Sequence, residues 1–80
     1  MFPNGIRKGI VTGGSADNDD WYGTLSPAFP RGYEPTVIVA PFSNAGRCPT
    51  GFYVASITSS SFRIYCKGTA PYAGFSFIAF

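Results

Sequence analysis

Histidine is missing from this chain altogether, and charged side chains make up only 12% of it. The first absence removes the Ser–His and Cys–His couples that activate most nucleophiles, together with the imidazole ligands of most zinc sites. Cysteine is nearly absent too. Cys48 and Cys66 form no Cys-x-x-Cys pair, which argues against a metal. They read either as two reduced, partly buried thiols or as one bridge. Such a bridge closes an 18-residue separation and would contribute about 3 kcal/mol by restricting the unfolded chain. Glycine patterns for mononucleotides or dinucleotides are also missing; Gly13-Gly14 has no helix after it. No enzyme activity and no cofactor are expected.

The charge that is present is thinly spread. Arg7, Lys8, Arg31, Arg47, Arg63 and Lys67 never form a run, and the net charge is only +2. That falls short of the electrostatic footprint that nucleic acid or an anionic membrane needs. No apolar stretch reaches the roughly 20 residues of a membrane span, and the N-terminus lacks the charged-then-apolar order of a signal peptide. Neither nucleic-acid binding nor membrane insertion is expected.

What the chain does have is aromatic side chains, at 18%, and frequent turn residues, with 10 Gly and 7 Pro. Eighty residues make one small domain, 1–80, which buries only about 60% of its unfolded surface and is marginal alone. So much aromatic and apolar surface exceeds what so small an interior can absorb. The surplus is expected in subunit interfaces or a binding face.

Turn signals recur every 8 to 12 residues and no window holds a helical period, which predicts an all-β sandwich or barrel. Six strands are predicted: Ile6 to Thr12, Trp21 to Leu25, Pro35 to Pro41, Gly51 to Ile57, Phe62 to Lys67 and Phe75 to Phe80. The fifth alternates cleanly, with Phe62, Ile64 and Cys66 on the core side and Arg63, Tyr65 and Lys67 on the other. Strands three and six do not alternate. Ile38 and Ala40 oppose Val37 and Val39, and Ser76, Ile78 and Phe80 oppose Phe75, Phe77 and Ala79. A strand apolar on both sides predicts a second partner for its outer face, here another copy of the chain.

Candidate binding residues are aromatics beside polar loops. Trp21 and Tyr22 follow the acidic stretch Asp17, Asp19 and Asp20, Tyr65 stands between Arg63 and Lys67, and Tyr72 precedes the last strand. Flat rings stack on the apolar faces of sugars and anchor protein interfaces, while Asp and Arg fix hydroxyl groups. For Trp21 the packing-centre reading is favoured, since a lone Trp in so small a domain usually centres the core. The three Asp residues read as solvated turn residues, as sugar or partner contacts, or as weak Ca²⁺ ligands lacking the later Gly and Glu of a calcium loop.

Phe29-Pro30, Pro35-Thr36-Val37-Ile38-Val39, Ile57-Thr58-Ser59-Ser60-Ser61-Phe62-Arg63-Ile64 and Phe75-Ser76-Phe77-Ile78-Ala79-Phe80 occur in that order. Over roughly residues 24 to 80 this resembles the C-terminal domains of phage tail fibres and the related H-type lectins. Ser61, Phe77 and Phe80 depart from that pattern, where Gly, Trp and Gly are usual. The resemblance implies a six-stranded antiparallel β-sandwich assembled as a homotrimer, within a virion. It implies recognition of a host cell-surface glycan, such as bacterial polysaccharide, between subunits, with other fibre or virion subunits as partners. Galactosamine-type specificity does not carry over, because the chain has no His. A structural decoration or fibre-capping trimer without a glycan ligand, and a free-standing lectin of defence or adhesion, are the alternatives.

Overall fold

In the computed structural model the described residues are 2–12, 20–43, 51–67 and 73–80. They form six strands: β1 (Arg7–Val11), β2 (Asp20–Thr24), β3 (Val37–Ser43), β4 (Gly51–Ala55), β5 (Ser61–Lys67) and β6 (Ala73–Ala79). All are paired antiparallel, in two three-stranded sheets of order β1-β6-β3 and β2-β5-β4. Expectation and structure agree on six antiparallel strands. Boundaries shift by one or two residues throughout: β4, expected to reach Ile57, ends at Ala55, β6 begins at Ala73 and not Phe75, and β3, expected to stop at Pro41, continues through it to Ser43. β3 lies at a sheet edge, and an edge strand tolerates a residue that cannot donate to the ladder.

The two sheets meet through aromatic rings. Phe75 of β6 takes the Trp21 ring edge-on at 5.4 Å and packs against Phe52 at 5.4 Å. Phe62 of β5 meets Phe77 of β6 edge-to-face at 5.0 Å. Offset and T-shaped contacts of this kind suit the ring quadrupole. Val11, Leu25, Phe29, Ile64, Cys66 and Ala79 complete the core. Phe62, Phe75 and Ile64 are fully buried, and each contributes about 1.5–3 kcal/mol by leaving water.

Two glycines make room for the central rings. Gly23 is the direct cross-strand partner of Phe62 and Gly9 that of Phe77. At Gly23 the ring occupies the space a Cβ would take, and at Gly9 the Phe77 ring edge would lie 3.0 Å from one, a tight contact.

The connection from β2 to β3 crosses between the sheets and is pinned by Arg7. Its Nε donates to Pro27 O at 2.8 Å, Nη2 donates to Ala28 O at 3.3 Å, and Nη1 donates to Asn4 O. The guanidinium also sits 4.0 Å over the buried Phe29 ring. The short link before β5 is organised by Thr58, whose Oγ1 accepts from the backbone N–H groups of Ser60 and Ser61, as Ser and Thr do in tight turns. Beyond β6, Phe80 and Thr36 exchange both backbone hydrogen bonds, which prolongs the β3–β6 ladder by one pair.

Candidate functional site

Strand alternation gives each sheet an inner and an outer face, and the two outer faces differ in chemistry. On β1-β6-β3 the outward positions include Lys8 and Ile10, Ser76 and Ile78, and Ile38 and Ala40. Ile78 stands directly between Lys8 and Ile38, while Ser76 stands between Ile10 and Ala40. Ile10 is 63% exposed and Ile38 53%. The apolar strip continues to Phe80, against which the exposed Phe2 ring packs at 4.6 Å. Lys8 is the only charged residue at those outward positions. The expected second apolar face on strands three and six therefore exists, and Ile38 and Ile78 are not hidden in the chain's own core.

The outer face of β2-β5-β4 is a small array of aromatic and charged groups. One cross-strand row is Tyr22–Arg63–Ala55 and the next is Asp20–Tyr65–Tyr53, each read from β2 through β5 to β4. Arg63 Nη2 donates to Asp20 Oδ2 at 2.5 Å. The Arg63 guanidinium lies 4.8 Å from the Tyr65 ring centre and 5.2 Å from that of Tyr22, within the range of cation–π attraction. Tyr65 in turn stacks on Tyr53, with ring centres 5.1 Å apart and planes 29° from parallel. The result is a continuous ridge, Tyr22–Arg63–Tyr65–Tyr53, crossing three strands. Its end members Tyr22 and Tyr53 are 67% and 62% exposed.

The hydrogen bond from Arg63 to Asp20 raises the guanidinium pKa above its ordinary value, with partial burial opposing it. Arg63 stays charged through the whole physiological range. Its Nε is buried without a hydrogen-bond partner among the described residues. Beside Tyr53 and Tyr65 opens a depression of about 410 Å³, which Asp20, Phe52 and Lys67 also line.

Four of the sequence candidates, Asp20, Tyr22, Arg63 and Tyr65, are thus brought together. Asp17, Asp19 and Tyr72 lie outside the described residues, as does Cys48 of the possible bridge with buried Cys66. The possible weak calcium site at the acidic stretch lies largely outside them as well. Trp21 is a correction. It is only 2% exposed, because β2 alternates and the residue next to outward Tyr22 must point inward; its ring packs on Phe75 and is not available to a ligand.

Tyr53 was missed. In the run Gly51-Phe52-Tyr53-Val54 three consecutive large apolar or aromatic residues hide which side each takes. The available signal was cross-strand pairing, since placing β4 beside β5 sets Tyr53 opposite Tyr65. Among the described residues no helix is long and apolar enough to cross a membrane. No protein-family model, curated protein or solved structure matches the chain.

Proposed function

We propose that this chain is a recognition module of the kind that ends a viral tail fibre or spike, contacting a host-surface glycan and catalysing nothing. The observation that carries this reading is the Tyr22–Arg63–Tyr65–Tyr53 ridge with Asp20 beside it. Amphipathic rings held at fixed spacing offer contact area at little entropic cost, and a charged donor next to a carboxylate acceptor suits hydroxyl groups. The sequence resemblance supports the viral setting, the H-type-lectin-like form of the sandwich and assembly as a homotrimer. The exposed Ile10, Ile38 and Ile78 support self-association, since small soluble domains seldom leave contiguous apolar faces open. On this reading the contact surface begins on one chain's own outer sheet, and neighbouring copies extend it.

The test is binding of the purified assembly to host cells and to arrayed bacterial polysaccharide. Arg63→Ala and Tyr22→Ala should each weaken adsorption about ten-fold or more while leaving the circular dichroism spectrum and subunit count intact. Unchanged adsorption in both variants overturns the reading.

A second reading, a structural decoration or fibre-capping trimer, is favoured by the apolar β1-β6-β3 face taken alone. A trimer by light scattering that binds capsid or fibre protein and no glycan decides for it.

A further inference from the structure

The ridge does more than supply rings: its geometry and charge restrict the kind of glycan that fits. Tyr22 and Tyr53 are two strands apart and two residues apart along the strands, so the diagonal between their α-carbons is about 12 Å from strand spacing and rise. Both rings are largely exposed, whereas Arg63 and Tyr65, which fill the diagonal between them, are half-buried. A single pyranose ring cannot reach from one end ring to the other; two or more linked rings can.

Charge narrows the choice further. The Arg63 guanidinium already donates to the Asp20 carboxylate, so its positive charge is balanced beneath the diagonal. An acidic sugar placed there meets the carboxylate as well as the guanidinium, and must compete with the existing pair. A hydroxyl group both donates and accepts, so it satisfies either partner without displacing the other. Lys67 pairs with Gly51, one row beyond Tyr65 and Tyr53; it lines the depression beside those rings but lies past the Tyr53 end of the diagonal. A proline-rich peptide also stacks on aromatic rings, but its imide groups offer acceptors only, so they can address the Arg63 guanidinium and not the carboxylate beside it.

Resting on the recognition reading above, we infer that the site takes an uncharged oligosaccharide of at least two pyranose units, laid diagonally from Tyr22 across Arg63 and Tyr65 to Tyr53. The experiment measures binding of the intact assembly to a panel of neutral and uronic-acid-containing glycans, from mono- to tetrasaccharides, at low and high salt. A neutral glycan should bind, with affinity rising from mono- to di- or trisaccharide and hardly changing with salt. Tyr22→Ala and Tyr53→Ala should each lower that affinity about ten-fold, and Tyr→Phe at either position should largely restore it. Both residues are exposed, so folding is not at stake, and an unchanged thermal melt checks this.

Tight binding of a monosaccharide, preference for acidic glycans with steep salt dependence, or loss in only one of the two variants overturns this inference while leaving glycan recognition standing. Binding to no glycan, or to proline-rich peptide alone, overturns both.

Discussion

Phe62 lies across the bare α-carbon of Gly23, its paired neighbour on β2, so closely that a methyl group built there would sit 2.1 Å from the ring. Phe62 has no exposed surface and packs edge-to-face on Phe77, so its ring can shift only by displacing other core side chains. Gly23→Ala is therefore expected to destabilise the domain by about 3 kcal/mol, the upper range for overpacking a dense core. Gly51 offers the contrast, because nothing lies within 4 Å of its added Cβ. Gly51→Ala should be neutral or mildly stabilising, by up to about 1 kcal/mol, through the unfolded chain. Denaturant midpoints of the two variants check this, and similar midpoints would refute it.

Arg7 should prove structural. It donates to three backbone carbonyls and caps the Phe29 ring, which ties the segment before β1 to the connection between β2 and β3. Arg7→Lys keeps the charge but loses the planar fork and its stacking. Both Arg7→Lys and Arg7→Ala are expected to cost about 1–2 kcal/mol, measured by chemical denaturation, with glycan affinity unaltered. A stability equal to the parent's would show that these contacts are replaced by water at no loss.

Self-association should depend on the outer face of β1-β6-β3. Ile10→Lys and Ile38→Lys place charge on positions more than half exposed in the single chain, so the stability of that chain should change by less than about 0.5 kcal/mol. In an assembly the same charges are buried without a partner, so dissociation is expected at micromolar concentration. Light scattering reads the mass. Variants that keep the parent's mass would place the interface elsewhere.

The paired charge on the opposite face should set ligand selectivity. Asp20→Asn removes the carboxylate that accepts from Arg63 and leaves the guanidinium charge unbalanced beneath the Tyr22–Tyr53 diagonal. Affinity for acidic oligosaccharides is expected to rise relative to neutral ones, and to acquire a salt dependence. A panel of paired neutral and uronic-acid ligands measures the ratio; an unaltered ratio would show that Asp20 has no part in discrimination.

Strand content was legible because the physics is local. The alternation of Phe62, Ile64 and Cys66 with Arg63, Tyr65 and Lys67 fixes which side of β5 is buried, and the structure agrees residue by residue. The outward apolar positions Ile38 and Ile78 were legible for the same reason, as a failure of alternation. Strand order was not legible. β6, last in the chain, sits between β1 and β3, and no single-strand pattern encodes a pairing between residues 7 and 79. The candidate site shares that limit. Tyr53 joins it only through its register with Tyr65, and Trp21 leaves it only once β2 is known to present Tyr22 outward.

The chemical difference between the two outer faces has a consequence for how such a protein changes over generations. Residues on opposite surfaces of a two-layer fold share no neighbours, so substitutions at Tyr22 or Tyr53 and at Ile10 or Ile38 should act independently in their energies. Under the proposed function, a lineage could trade one target for another at the aromatic surface without disturbing contacts made through the other. On the proposed reading, target choice and self-association would be separately selectable traits.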